Sequence, residues 1–466
     1  MTSLWEKVRG RAGRMQDTPG TATLQDAGGR TESERGLQAE LAAGFHTGFE
    51  HTPAAVAAPS DVTEVAQVLV RAREEGHRVT VVGRGHGHLG PIQDGVALLT
   101  SRLAGVTVDP VAKTARVGAG STWAEVISAA AAHALAPVTG SAPGVGAVGY
   151  TLGGGLSVLG RTLGWTSDTV RGFEVVTGEG RILTVSQTEH PDLFWALRGG
   201  GVRGVVVTAM TIDLFDIATL YGGGLYFGAD DAESVVRTFA TWSADLPDEF
   251  NTSFALLRLP DIEAIPGPLR GRFVVHVRVA ALLGSAEAEQ ILRPVRAAGT
   301  PLLDTLTDMP FSAIGSVHAD PDQPTTSMTG GILLSDFSVD AAEALLSVAG
   351  PASPLPLLGV EIRVMGGALS RAAAEPSAVS GRGAGAHLFV VTPPIADPSA
   401  ELPFAGAAGA VFVAMQPWAT GGTNANFHGM LTERVSTARP WDEETEGRLV
   451  HIRDAYDPEG RIATRL

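Results

Sequence analysis

Cysteine is absent from the 466 residues. That excludes disulfides, zinc–thiolate cages, iron–sulfur ligation and thiol nucleophiles together, so any covalent chemistry must use another side chain. Long apolar runs are missing too: nothing approaches the roughly 18 uninterrupted apolar residues a membrane-spanning helix needs. The opening stretch, MTSLWEKVRGRAGRMQDTPG, is charged and holds no apolar leader core. A cytoplasmic chain without a membrane partner is the expectation. Basic residues are outnumbered, 34 against 50 acidic, for a formal net charge of −16. This opposes attraction to nucleic acid or anionic lipid, and no basic patch with interleaved aromatics counters it. Aromatics make up 6% of the chain, sparse enough to be core.

Glycine is plentiful, at 58 residues, and gathers in two stretches. These are 80–90, TVVGRGHGHLG, and 140–160, GSAPGVGAVGYTLGGGLSVLG. Loops that shed side chains this heavily let a phosphate chain or a flat ring lie against main-chain N–H groups. A large dinucleotide is the natural occupant. The length exceeds what one hydrophobic core supports, so two domains, or two lobes sharing a cleft, are expected.

Local patterns place these loops. In 51–83 an extended segment, a helix and a strand follow one another; Asp61 and Glu64 form a capping-box pattern, Val62, Val65, Leu69 and Ala72 recur at helical spacing, and Gly76 is a stop. A βαβ-like unit thus delivers the chain into GRGHGH. Short strands at 96–99, 106–109 and 114–118 precede a second helix opened by Thr122 and Glu125. A hairpin turns at Gly178-Glu179-Gly180, and a short helix from PDLFWAL leads to a β run at 205–214. From about 220, alternating segments at 225–227, 254–259, 273–282, 332–334, 358–364 and 387–391, with helices at 232–244, 286–298 and 339–348, predict an antiparallel sheet carrying helices on one face. The segment from 424, with a helix near 441–455 and YDPEGRI, is expected to return to the first domain.

The GxGxxG pattern occurs at Gly85-Gly87-Gly90, Gly144-Gly146-Gly149 and Gly199-Gly201-Gly204. None is followed by the long helix and the acidic residue about 20 positions on that a nicotinamide-binding Rossmann unit requires, so that reading is disfavoured. His86 and His88, two residues apart with no nearby Asp, Glu or Cys, make a poor metal cage, and no metal is expected. Loop capping or solvent exposure is their plain structural role. Arg161, Asp168 and Arg198 beside the glycine turns suit buried ion pairs as well as ligand contacts.

The ordered series VVGRGHG, GSAPGVGAVGYTLGGGLSVLGRTLGWTSD, PDLFWALRGGG, VVVTAM and YDPEG resembles the berberine bridge enzyme-like branch of the vanillyl-alcohol oxidase and p-cresol methylhydroxylase superfamily of FAD enzymes. The resemblance covers about 53–215, with weaker echoes at 361–368 and 424–456. It implies an α+β, two-domain fold of p-cresol methylhydroxylase type: an N-terminal arm at 1–50, an FAD-binding domain at 51–218 completed by 421–466, and a central antiparallel-sheet substrate domain at 219–420. FAD is the implied cofactor, attached through His86, with His88 as the second choice. Gly83, Arg84, Gly85 and Gly87 would cradle the pyrophosphate. Pro143, Gly144, Val145, Gly146, Gly149, Tyr150, Gly153, Gly154 and Gly155 would line the ring and ribityl chain, with Val206 and Asn426 as further contacts.

Relatives with a second, cysteinyl tether have Cys where Ala142 stands, so at most one covalent link is expected here. Two other departures fall at Gly201-Val202-Arg203-Gly204 and Asn424-Ala425-Asn426, in place of the family's Gly-Asn-Phe-Gly and Tyr-x-Asn. The implied activity is oxidation of a small molecule, in secondary metabolism, by hydride transfer to the flavin, with oxygen as acceptor. Flavin-assisted cyclisation, dehydrogenation with another acceptor, and a non-catalytic FAD scaffold are the alternatives. His387 is the candidate base, with Tyr150 and Glu361, and Arg363 beside them; Glu361-Arg363 also suits a cross-strand ion pair.

Overall fold

The computed structural model describes residues 32–463. The first 31 residues of the expected N-terminal arm lie outside the described residues; the arm's remainder is the helix Glu32–Ala42 and a loop. Helix Val62–Glu74 starts where Asp61 accepts from the Glu64 amide and buries Val65, Val68, Leu69 and Ala72. It links strand Ala55–Ala57 to strand Val79–Val82, and both pair in parallel with Val96–Leu99 between them. The capping box of Thr122 and Glu125 opens helix Trp123–Ala131 as the sequence predicts.

An antiparallel sheet of five strands runs in the order Val106–Asp109, Thr114–Gly118, Val205–Asp213, Val170–Thr177, Ile182–Ser186. The chain end comes back to the first sheet: Val79 donates to Arg461 O at 2.7 Å and Ala463 donates to Val79 O at 2.8 Å. Asp457 of YDPEG makes that turn, accepting from the amides of Arg461 and Ile462.

The remaining large sheet has eight strands, all antiparallel, centred on Phe250–Arg258, Phe273–Ala281, Gly359–Val364 and Ala386–Val391. The period of two splits each strand between faces. Phe254, Leu256, Val275, Val277, Val360, Ile362, Leu388 and Val390 join Val235, Phe239, Leu345 and Val411 of the covering helices in one core. Each such side chain, fully buried, contributes about 1.5–3 kcal/mol. The opposite face carries the polar residues considered below. Among the described residues no helix is long and apolar enough to cross a membrane.

Arg161 ties the glycine-rich half to this sheet. The expected buried ion pair forms between Arg198 and Asp168, 3.9 Å apart, but not at Arg161: among the described residues its guanidinium meets no carboxylate and donates to the carbonyls of Phe250, Met365 and Leu246, at 3.1, 2.6 and 2.7 Å. A buried carbonyl that loses its donor costs about 1–3 kcal/mol. Arg161→Met, which keeps the apolar stem, is therefore expected to lower unfolding stability by about 2–4 kcal/mol. Urea denaturation indistinguishable from the unaltered chain would refute the tie.

Candidate functional site

Strand Val79–Val82 ends in the loop 83–87, where Gly85 has φ +76° and a Cβ there would sit 2.9 Å from Gly44 Cα. Only glycine fits both demands. The tight approach lets segment 44–46 run alongside, with Phe45 donating to Arg84 O at 2.9 Å. It also stacks the Phe45 ring on His86, centroids 3.7 Å apart and planes 14° from parallel. Burial, then the Arg84 charge, lowers the His86 pKa to about 4, so the ring is neutral at pH 7. His88 goes elsewhere: it is buried, 4.8 Å from the His51 ring. The two histidines of GRGHGH thus face different surroundings.

Segment 143–147 lies over the start of helix Trp123–Ala131, with Trp123 donating to Val145 O, Ala124 to Pro143 O and Ala147 to Ser121 O. This anchoring nucleates a helix the glycine count concealed, Ala147–Leu152. Asn426 clamps its far end: Oδ1 accepts from Gly155 N and Nδ2 donates to Tyr150 O, each at 2.9 Å. A side chain at Gly153 would strike Asn426, and one at Gly155, φ +74°, would strike Thr166. Gly154, φ +102°, packs toward Val379. Val206 lies in the core with Val176, its strand partner.

The two loops touch where Arg84 Cγ lies 3.5 Å from the Cβ position of Gly146. Beside that contact, Cβ atoms at Gly87, Gly144 and Gly149 would meet nothing within 4 Å, and one at Gly83 only Thr100 Oγ1 at 4.0 Å. Bare backbone therefore faces open space from both loops, the surface an extended phosphate-bearing cofactor needs.

Across from the loops, the polar face of the eight-stranded sheet is ordered in two rows. Register places Arg278, Ser253, Arg363 and His387 side by side on four adjacent strands, and His276, Ala255, Glu361 and Phe389 beside them. The small Ser253 and Ala255 leave room for long neighbours to reach across. Glu361 accepts from Arg278 and, at 2.8 and 3.0 Å, from Arg363. The pair Glu361–Arg363 is thus formed within one strand, two residues apart, and the cross-strand partner is Arg278. Burial pushes the Glu361 pKa up, but Arg363 and Arg278 together outweigh it and hold the carboxyl well below the usual range. Arg278 Nε donates to His276 Nδ1 at 3.1 Å, and His276 stacks on Tyr226 at 3.8 Å.

His387 is fully buried between the glycine backbone at Gly331 and the Phe427 ring, 4.8 Å away. Neither of its ring nitrogens has a hydrogen-bond partner among the described residues. Burial, then Arg363, lowers its pKa to about 3. The Tyr150 hydroxyl donates to Leu156 O at 2.7 Å, and burial raises its pKa. Arg363 donates to the same carbonyl at 3.2 Å, so the glycine-rich segment and the sheet meet at Leu156. Sequence reading did not single out His276, Arg278, His318, Phe45 or Phe427. The signal for two of them was present: His276 and Arg278 stand at i and i+2 in the apolar run FVVHVRVAA, the same spacing as Glu361 and Arg363.

Residues 53–186 match the family model described as FAD binding domain. The chain carries an FAD-binding domain. FAD-dependent monooxygenase FUP4 of Fusarium proliferatum is 38% identical over 174 residues, which is 37% of this chain and 34% of that protein. Of five such relatives the chain spans only 34% to 40% of the length. The crystal structure of 6-hydroxy-D-nicotine oxidase from Arthrobacter nicotinovorans superposes with a TM-score of 0.79 at 21% identity, covering 92% of this chain and 95% of that one. Glucooligosaccharide oxidase from Acremonium strictum, described as holding a 6-S-cysteinyl, 8α-N1-histidyl FAD, superposes at 0.75 and 20% identity, with 93% and 98% covered. A berberine bridge enzyme-like protein of Physcomitrella patens shares the fold at a TM-score of 0.77, 17% identity and coverage of 92% and 94%. The fold is thus the p-cresol methylhydroxylase type expected from the sequence, and FAD is its cofactor.

Gly85 and Gly87 separate loop integrity from cofactor binding. Gly85→Ala is expected to cost the cofactor-free chain about 1–3 kcal/mol through the positive φ and the Gly44 contact. Gly87→Ala should leave that stability within about 0.5 kcal/mol yet weaken FAD retention at least tenfold. Equal thermal midpoints for the two cofactor-free variants would show that the loop is not held as described.

His387 generates a pH prediction. Its folded pKa is depressed, so between about 3 and 6.5 the unfolded chain binds the extra proton, and stability falls as the pH drops through that window. His387→Leu should flatten the acid limb of a stability–pH curve by close to one proton and leave it unchanged above pH 7. An acid limb of unaltered slope would place the ring in contact with solvent or with an acid.

Proposed function

We propose that this chain is an FAD-dependent oxidoreductase that withdraws a hydride from a small molecule held between the glycine loops and the polar face of the eight-stranded sheet. One observation carries the reading: two loops of bare backbone, meeting at Arg84 and Gly146, are joined through Tyr150 and the Leu156 carbonyl to Arg363 of a buried sheet face bearing charged and imidazole groups. Ionised groups buried at such cost and strongly shifted mark functional-site candidates.

FAD, when bound, supplies the two-electron acceptor, while the protein supplies placement and polarity. The amides of 83–87 and 144–146 are suited to hold its phosphates, with Arg84 beside them. His86 is our candidate for a covalent link. Its imidazole is neutral and held by Phe45 at one fixed angle, so a nitrogen lone pair is available at pH 7. A second link of the kind named for glucooligosaccharide oxidase has no nucleophile here, because Ala142 follows Ser141 in the corresponding stretch.

The three candidate bases are not equivalent. Glu361 is fixed as an anion by two guanidiniums, which suppresses its basicity. The Tyr150 hydroxyl is engaged by Leu156. His387 presents two nitrogens unengaged among the described residues; burial and Arg363 lower its own basicity, so its role is to accept a hydrogen bond from a substrate O–H or N–H and orient the carbon beside it, taking the proton only as the hydride leaves. Approach to His387 runs past Phe427, which covers the ring. Oxygen as electron acceptor and a cytoplasmic location belong to the same proposal. The named activities of the relatives, monooxygenase and oxidase, support the class and leave the substrate open.

The test has two arms. Acid precipitation of the yellow protein should leave flavin in the pellet, lost in His86→Ala and retained in His88→Ala; retention in both would overturn the attachment. Anaerobic mixing with candidate alcohols, amines and sugars should bleach the flavin for at least one class, and His387→Gln should slow that bleaching by about 10²–10⁴-fold if the ring takes the proton. A chain that no reductive substrate bleaches, while dithionite does, is a binding protein.

A further inference from the structure

Where the glycine-rich segment leaves the loops it encloses, with the eight-stranded sheet, a cavity of about 20 Å³ lined by Arg161, Ser253, Arg278, His318 and Arg363 among others. About 10–15 Å³ admits one water-sized atom, so the space suits a single atom or the tip of a small group. Its charge is unbalanced. Three guanidiniums, each no more than 8% exposed, surround it, and Glu361 is the single carboxylate paired with any of them. Among the described residues Arg161 has no acid partner, and its burial lowers its pKa. No Asp or Glu lines the cavity. Asp320, which acts on Arg363 through space, is exposed and accepts from Ser141 at 2.5 Å. The count is three positive charges against one negative, buried together.

Hydrogen-bond polarity agrees. Arg363 NH2 lies 3.4 Å from His318 Nε2. An arginine only donates, so Nε2 is the bare nitrogen and the proton sits on Nδ1. Nδ1 is buried and has no hydrogen-bond partner among the described residues. Asn251, also on the wall, has its oxygen and nitrogen engaged by Arg161 N and by Thr162 and Ala280, and Thr252 donates to Arg278 O. What remains for a guest is positive charge and a donor, which water satisfies only in part.

We propose that this cavity binds a monovalent anion through one acceptor atom, either a halide ion or one oxygen of a carboxylate reaching in from the cleft. The cavity borders the end of the glycine-rich stretch and shares Arg278 and Arg363 with the polar sheet face, so the carboxylate alternative rests on the function proposed above while the halide alternative does not. The anion neutralises half of the local excess and gives His318 Nδ1 its acceptor.

The FAD-loaded chain is tested at constant ionic strength by exchanging methanesulfonate for bromide or formate. A saturable rise in Tm of about 2 °C or more is expected for at least one of them, weakened at least tenfold in apparent affinity by His318→Phe. Crystals of the unaltered chain grown in bromide supply a measurement that does not depend on a variant folding: an anomalous peak within hydrogen-bond reach of His318 Nδ1. Displacement of that peak by benzoate, whose ring fits only the cleft, assigns the site to a substrate carboxylate. Displacement by formate but not benzoate assigns it to a free small anion. Tm values that do not move with bromide or formate, together with no anomalous peak, would overturn the proposal and leave a water in the cavity.

Discussion

The arrangement on which the rest depends is the ion triad Arg278–Glu361–Arg363 on a buried sheet face. Ionised groups removed from water are costly, and a carboxylate between two guanidiniums is stable there only if its geometry is good. The sheet supplies that geometry through register: Ala255 stands between His276 and Glu361, and Ser253 between Arg278 and Arg363. Any larger residue at 253 or 255 would separate the charges. The polar face thus exists because two strands of apolar alternation each insert a charged or imidazole pair at the same period, opposite a strand of small residues.

The glycine loops answer to a different constraint. Their glycines divide into those the protein itself requires and those it leaves bare. Gly85, Gly153 and Gly155 are demanded by Gly44, Asn426 and Thr166, whereas Gly87, Gly144 and Gly149 touch nothing of the chain. A loop that is merely tight has only the first kind. The second kind leaves backbone open beside the loop contact, and the match of 53–186 to an FAD binding domain names an occupant for that space.

Much of this was legible in the residues. Caps at Asp61 and Thr122, the hairpin at Gly178-Glu179-Gly180 and the six alternating strands of the second half all fall where their patterns place them, because local chemistry decides them. The helix Ala147–Leu152 was hidden, since glycine argues against helix and only its anchoring on the turn before Trp123 overrides that propensity. Helix Glu401–Ala414 was also missed: apolar residues on nearly all sides leave no amphipathic stripe to read. At the site, Glu361, Arg363 and His387 were named from one strand pair, while Arg278 and His276 became partners only through pairing of distant strands. Phe45 reaches His86 from an arm whose sequence carries no pattern at all.

Among the bonds that join the two halves, those at the Leu156 carbonyl link the glycine-rich segment to the ion triad. Leu156 O accepts from Tyr150, which Asn426 holds through the helix that follows Gly146, and from Arg363, which holds Glu361. Arg363 thus couples the glycine-rich segment to Glu361, a buried carboxylate of the sheet's polar face. The glycine-rich segment and the polar sheet face therefore belong to one hydrogen-bonded network, with Arg161 holding the same junction from its other side.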